Sequence, residues 1–177
     1  MSAVVIMRGA SGSGKSTIAR SLRDRVEELV KVPWPVLEEV GNSYLSYIFS
    51  ADDFFIGADG EYIFDRNRLS DAHEACLRAF IMETNHLYDC GAEYTMIVDN
   101  TNTSYEEILP YARIGKAFRC KVYIIDVASD LETCIGRNVH SVPPATIERQ
   151  IANLARSSSR IRSLGEVVSS SDLSPIL

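Results

Sequence analysis

Gly9-Ala10-Ser11-Gly12-Ser13-Gly14-Lys15-Ser16 is the stretch that decides the fold, because it has the form G-x-x-x-x-G-K-[S/T] and directly follows the apolar run 4–7. This context predicts a buried strand that leads into a glycine-rich turn, whose backbone N–H groups wrap around phosphate. Lys15 is expected to reach the β- and γ-phosphates of ATP, and the Ser16 hydroxyl to bind Mg²⁺. The residues predicted to contact the nucleotide are Gly9, Ala10, Ser11, Gly12, Ser13, Gly14, Lys15, Ser16 and Thr17.

A helix is predicted immediately after this loop. Its apolar residues recur at helical spacing, namely Ile18, Leu22, Val26 and Leu29. The N-terminus of such a helix points its dipole at the bound anion. Strand, loop and helix therefore agree on a phosphate-binding loop.

Strands and helices alternate along the rest of the chain. Short β-prone runs are expected at 47–50, 95–98 and 122–125, and helices at 69–87, after Ser104, after Ser129 and from Pro144. Ser104 with Glu107, and Ser129 with Glu132, have the spacing of a capping box. The pattern predicts an α/β fold of the P-loop NTPase type, a parallel sheet with helices on both faces and a short lid.

The length of 177 residues favours a single domain. We expect the P-loop domain to span 1–156, and the serine-rich remainder, 157–177, to be a marginal or mobile tail. Residues 31–46 contain prolines and a Gly-Asn turn signal, so they are interpreted as an insertion before the second strand.

Composition narrows the classes of partner. A net charge of −6 argues against a general surface for binding duplex nucleic acid. Nucleic acid is therefore expected to bind only through a local basic groove. The 4 cysteines include no C-x-x-C pair, so neither a zinc site nor a disulfide framework is predicted. With no export-like N-terminal segment and no bilayer-length apolar run, we expect a soluble cytoplasmic protein without membrane contact.

Carboxylates follow two of the predicted strands. Asp52 and Asp53 come after 47–50, and in an open α/β sheet ligands bind at that edge. We assign Asp52 as the general base toward an acceptor hydroxyl, and Asp53 as a substrate-orienting partner, because adjacent carboxylates disfavour joint ionisation. Asp99 follows a buried strand and is assigned with Ser16 to Mg²⁺. Solvated turns or helix caps are the alternative for these aspartates.

The remaining candidates are neutral or cationic. Asn100, Thr101 and Asn102 offer short hydrogen-bonding groups to the acceptor, or else stabilise a turn. Arg137, on a segment that can act as a lid, is assigned with Lys15 to offset charge on the transferred phosphoryl. Arg137 as a plain surface residue is the alternative.

Four blocks in order resemble the phosphate-loop kinases typified by the 5′-kinase domain of bacteriophage polynucleotide kinase. They are 8–17, 50–54, 97–102, and 137–140 with Val142-Pro143. The resemblance implies that Asp52 is the general base, Asn100 an acceptor-site residue and Arg137 a lid arginine. Two positions depart from the family pattern, since Ala51 stands where a basic residue is expected and Asn100 where an aspartate is.

The sequence thus favours an ATP- and Mg²⁺-dependent kinase that phosphorylates a hydroxyl on nucleic acid. A 5′-hydroxyl and a hydroxymethyl group on a modified base are equally suitable, since both are primary alcohols. A small-molecule kinase acting on a nucleoside, sugar or antibiotic is an alternative, and a non-catalytic ATP-binding module is another. The acceptor and the oligomeric state are left open.

Overall fold

A parallel sheet of five strands forms the centre of the computed structural model, which describes residues 2–29, 44–173 and 176. The strands are β1 (Ala3–Arg8), β2 (Tyr44–Phe49), β3 (Glu93–Val98), β4 (Lys121–Asp126) and β5 (Glu166–Ser169). The α-helices are α1 (Lys15–Leu29), α2 (Leu69–Asp89), α3 (Tyr105–Ala117), α4 (Leu131–Gly136) and α5 (Pro144–Ile161). Short 3₁₀ helices cover Ala51–Phe55 and Arg66–Arg68.

The strand order is β2-β3-β1-β4-β5, with every neighbouring pair parallel. β1 therefore lies in the middle, and the chain leaves it toward β2 on one side and reaches β4 on the other. Ligands in open α/β sheets bind outside the carboxyl ends of strands at this kind of reversal. The loop after β1 occupies that place.

Helices cover both faces, which confirms the predicted fold class. On one face α1 packs its Ala19, Leu22 and Val26 against alternate residues of β1, β3 and β4. On the other face α2, α3 and the end of α5 pack against the opposite set of strand residues. β1 is buried along its whole length, as expected for a strand covered on both sides.

Three sequence-based expectations need correction. β2 begins at Tyr44 rather than Tyr47, so it takes up the end of the predicted insertion, and residues 31–43 of that insertion lie outside the described residues. The cap of α4 is Asp130 and not Ser129, because the Asp130 carboxylate accepts from the Thr133 N–H at 2.8 Å. The capping box of Ser104 and Glu107 is confirmed.

The third correction concerns the expected C-terminal tail. Its first residues, from Ser157, complete α5, and residues 166–169 then add β5 to the edge of the sheet. Ile161 and Val168 are buried in the two cores. The four-residue strand escaped detection because serines surround it and its alternation is too short to stand out.

None of the helices in the described part of the chain is long and apolar enough to cross a membrane.

Candidate nucleotide and phosphoryl-transfer site

The loop between β1 and α1 is held open by contacts at its base. The Gly9 N–H donates to the Thr101 carbonyl at 3.0 Å, and the Ser13 N–H donates to the Ala10 carbonyl at 3.1 Å. Gly12 and Gly14 have φ values of +79° and +97°, which side chains rarely tolerate. The turn therefore follows the path that a phosphate-binding loop requires.

α4 supports this loop from outside. A Cβ on Gly12 would lie 2.1 Å from the Cys134 carbonyl oxygen, so only glycine fits there. From α5, the Gln150 Oε1 accepts from the Ser11 N–H at 2.9 Å. Neither contact follows from the motif itself, and sequence reasoning gave Cys134 and Gln150 no part in the site.

Lys15 is buried at the N-terminus of α1, with only 8% of its surface exposed. Its Nζ donates to the Ala10 carbonyl at 2.8 Å, across the mouth of the loop. Burial lowers the pKa of Lys15, while the Asp99 carboxylate opposes that shift. The cation is thus positioned by the loop to which it belongs.

Asp99, directly after β3, faces Lys15 and the start of α1. Burial raises the pKa of its carboxyl group, and the nearby Ser16 hydroxyl and Lys15 ammonium only partly offset this rise. Among the described residues its Oδ1 is buried without a hydrogen-bond partner, as is the Ser13 Oγ.

Such orphaned buried oxygens call for a ligand, because an unsatisfied buried acceptor costs about 1–3 kcal/mol. Ser16 and Asp99 fit Mg²⁺, which binds few protein oxygens and keeps water and phosphate oxygens for the rest of its octahedron. A cluster of three or more His, Cys, Asp or Glu that could hold a metal is not found among the described residues.

Asp52 lies on the 3₁₀ helix after β2, with its side chain 53% exposed. The Tyr62 hydroxyl donates to its Oδ1 at 3.2 Å, and the His140 Nε2 lies 3.9 Å from its Oδ2. The Tyr62 and His140 rings are in contact, with centroids 4.9 Å apart. We call these residues the Asp52–Tyr62–His140 cluster; the site residues assigned from the sequence include Asp52 but neither Tyr62 nor His140.

Asp53 lines a cavity of about 260 Å³ between the 3₁₀ helix and α2. Its lining includes Phe54 and Cys76. Partial desolvation raises the pKa of Asp53, and the charges of Asp52 and Asp99 add to the rise. The adjacent aspartates therefore lie in distinct environments.

Asn100 and Asn102 are buried and already bonded inside the protein. Asn100 Oδ1 accepts from the Ala51 N–H at 2.8 Å, and its Nδ2 points at the Cys76 sulfur at 3.5 Å. Asn102, in a left-handed conformation with φ of 44°, donates to the Met7 carbonyl at 2.7 Å. Both side chains therefore already have hydrogen-bond partners inside the protein. Thr101 contributes its carbonyl to Gly9.

Arg137 caps the C-terminus of α4 and begins the loop 137–143, which leads to α5. The loop is closed by reciprocal contacts, since Asn138 Nδ2 donates to the Val142 carbonyl at 2.7 Å and its Oδ1 accepts from the Val142 N–H at 3.2 Å. The Arg137 guanidinium is exposed and has no ion pair within the described ranges. It is available to a ligand.

Arg8, the last residue of β1, is buried below the phosphate-binding loop. Its Nη1 forms an ion pair of 2.6 Å with the Asp126 Oδ1, and its Nη2 donates to the Ser157 Oγ at 2.8 Å and to the Leu154 carbonyl. This guanidinium joins β1, β4 and α5 directly beneath the site. Arg8 belongs to the block 8–17 on which the family resemblance depends, but nothing in the sequence indicates these partners.

Comparison with known proteins identifies relatives of this arrangement. The sequence pattern of the AAA_33 family, described as an AAA domain, matches residues 4–160. NEDD4-binding protein 2 of Homo sapiens is 27% identical over 161 residues, which is 86% of this chain. The chain spans only 8% of the length of that protein.

Solved structures share the fold at low identity. Kti12 of Chaetomium thermophilum, solved with ADP-AlF3, superimposes with a TM-score of 0.55 and 16% identity, covering 85% of this chain and 79% of that one. The APS kinase CysC of Mycobacterium tuberculosis, solved with AMPPNP and APS, gives a TM-score of 0.49 and 19% identity over 78% of this chain and 69% of that one. The likeness to Kti12 shows the P-loop fold.

Proposed function

Since the match over residues 4–160 makes this chain a member of the AAA_33 family of P-loop kinase-like domains, we propose that it is an ATP- and Mg²⁺-dependent kinase that phosphorylates a hydroxyl group. The observation that carries the proposal is the buried Asp99 Oδ1, which has no hydrogen-bond partner among the described residues and belongs to a carboxylate close to the Lys15 cation and the Ser16 hydroxyl. A bound Mg²⁺, or one of its water ligands, would satisfy this oxygen.

Ser16 and Asp99 would hold Mg²⁺, which when bound neutralises charge on the phosphates during transfer. Lys15 and the N–H groups of the loop orient the phosphates. The acceptor oxygen forms a bond to the γ-phosphorus, and the bond to the bridging oxygen breaks with its electron pair leaving on ADP. The proton of the acceptor passes to the exposed carboxylate of Asp52. Arg137 enters to offset charge on the phosphoryl group.

We propose a hydroxyl on nucleic acid, either a 5′-hydroxyl or a base-borne hydroxymethyl group, as the preferred acceptor. In support, Tyr62 is exposed and contacts Asp52, Phe64 is exposed two residues later, and Arg66 and Arg68 follow in sequence. Exposed aromatic rings interleaved with arginines suit unpaired bases and their phosphates. The acidic net charge of −6 favours the second candidate, a kinase for a small molecule such as a nucleoside.

Transfer of radiolabelled γ-phosphate to a panel of oligonucleotides and nucleosides tests the proposal. Asp52→Ala is expected to keep ATP affinity and lose transfer by about 10² or more, the usual contribution of general base catalysis. Transfer at the original rate by Asp52→Ala would remove Asp52 from this role. Absence of transfer to every acceptor, with ATP still bound, would favour a non-catalytic binding module.

Salt dependence separates the acceptor classes. A nucleic-acid acceptor should lose affinity steeply as salt rises, because its binding releases counterions. A small acceptor should respond weakly. ATP affinity, measured alone at the same salt concentrations, provides the control for effects on the nucleotide.

A further inference from the structure

We propose that Tyr62 and His140 are positioning residues that orient the Asp52 carboxylate and couple it to the loop 137–143, which carries Arg137. The cluster joins segments that are far apart in sequence and belong to opposite sides of the site. Its effect on transfer rests on the proposed kinase function, whereas the coupling of the segments does not.

The Tyr62 side of the cluster is built by a tight hairpin, 55–63. The Ile63 N–H donates to the Phe55 carbonyl at 2.8 Å, the Gly57 N–H donates to the Glu61 carbonyl at 2.8 Å, and Ile56 pairs with Tyr62. This folds Tyr62 back over the 3₁₀ helix that carries Asp52. The Tyr62 hydroxyl donates to the Asp52 Oδ1 at 3.2 Å. Burial and then the negative charge of Asp52 raise the pKa of Tyr62 to about 12. Tyr62 therefore stays a donor throughout the working pH range.

The His140 side comes from the loop after α4. The reciprocal hydrogen bonds between Asn138 and Val142 hold that loop in a closed turn, and Ser141 adopts a φ of 52° within it. His140 extends from the turn with its ring against Tyr62 and its Nε2 3.9 Å from Asp52 Oδ2. Each oxygen of the carboxylate thus faces a different segment.

The consequence is a mechanical link between the base and the lid arginine. Arg137 and His140 lie on the same short turn. Contacts that anchor His140 therefore also restrain the backbone of Arg137. All members of the cluster are at least partly exposed, with 43% for His140 and 53% for Asp52. The contacts can therefore open to admit an acceptor and close again around it.

Hydrogen exchange of the free protein tests the link without any activity. In Tyr62→Ala, the amides of 137–142 are expected to exchange about fivefold faster or more, because the loop loses its partner across the site. Tyr88→Ala is the matched control, since Tyr88 is another exposed tyrosine in ring contact, here with Phe118. Unchanged exchange in Tyr62→Ala, or an equal rise in the control, would overturn the coupling.

Single-turnover transfer tests the positioning. Tyr62→Phe keeps the ring and loses the hydrogen bond, so the rate should fall about tenfold with ATP affinity unchanged. His140→Ala should also lower the transfer rate. His140→Phe should lower the transfer rate too, but its loop amides should exchange as slowly as in the wild type. His73→Ala, on exposed α2 surface, should leave the rate unchanged.

The decisive experiment measures single-turnover rates of Tyr62→Phe and His140→Ala in a protein that also carries Asp52→Asn. If both residues act through Asp52, neither should lower the residual rate further. Multiplicative losses in that background would contradict a positioning role. A wild-type protein that transfers nothing would defeat the kinase proposal while the exchange experiment still decides the coupling.

Discussion

Asp99 places a buried negative charge at the base of the phosphate-binding loop. Because burial raises its pKa, the folded state binds the proton more tightly than the unfolded chain does. Stability then falls as pH rises from the ordinary aspartate range through the pKa of the folded state, and the ionised carboxylate destabilises the free protein at neutral pH. A carboxylate that weakens the free protein is consistent with one that serves a ligand.

Asp99→Asn should therefore melt above the wild type at pH 7, by about 2–4 °C for each kcal/mol gained. The gap should close as pH is lowered, because Asp99 itself becomes neutral in the wild type. Stabilisation of the variant by ATP should no longer increase with Mg²⁺. Melting curves across pH, with and without ATP and Mg²⁺, check both parts; a variant that is less stable at pH 7 contradicts the account.

We expect replacement of Lys15 to weaken the binding of ATP itself, ahead of any effect on the transfer step. Its ammonium is buried beside the Asp99 carboxylate and positioned by the Ala10 carbonyl, so Lys15→Ala removes the cation that faces the phosphates. We expect titration calorimetry with ATP and Mg²⁺ to show an affinity loss of at least about tenfold, as for a charge-assisted contact. Lys116→Ala, at an exposed hydrogen bond to the Ser163 carbonyl, provides the control.

At the scale of elements, the phosphate-binding loop depends on its fit against α4. Gly12→Ala would force a Cβ into the Cys134 carbonyl oxygen at a φ of +79°. We expect the free energy of unfolding to fall by about 1–3 kcal/mol and ATP binding to be lost. Gly136→Ala, where a Cβ meets nothing within 4 Å, should be neutral or slightly stabilising. Urea unfolding of both variants measures the contrast, and equal losses would show that the contact with α4 is unimportant.

The elements that sequence predicted well are those whose signal is local. The loop, β1 and α1 follow from the motif and apolar spacing, and β3 and β4 from short buried runs. β5 has only Glu166–Ser169 and depends on pairing with β4, which no local pattern reveals. The same holds for the Asp52–Tyr62–His140 cluster, since Tyr62 and His140 meet only once the sheet brings the hairpin and the loop after α4 together.

Site residues divide along the same line. Lys15, Ser16 and Asp99 lie together as predicted, because the motif and the end of β3 fix them on one edge of the sheet. Asn100 and Asn102 were predicted from their hydrogen-bonding capacity, and Asn100 also from the family resemblance. That capacity is used inside the protein, and only the folded partners Ala51 and Met7 reveal it.

At the scale of the whole molecule, the residues beyond 156 belong to the folded unit through Arg8. Its buried guanidinium depends on Ser157, and the following Ile161, Leu164 and Val168 are at most 5% exposed. Each such side chain contributes about 1.5–3 kcal/mol on burial, and a domain is stable by only about 5–15 kcal/mol in total.

A chain ending at residue 156, the boundary that composition suggested, should therefore be largely unfolded, whereas one ending at 173 should melt close to the full chain. Removing 157–173 uncovers the edge of β4, the Arg8 charge and apolar surface in both cores. A smaller change separates these effects: Ser157→Ala should cost about 1–3 kcal/mol, because Arg8 loses a partner inside the protein. Circular dichroism and thermal melting decide the comparison. Cooperative melting of the 156-residue chain at the full-length temperature would place the boundary where composition suggested and leave β5 without a structural role.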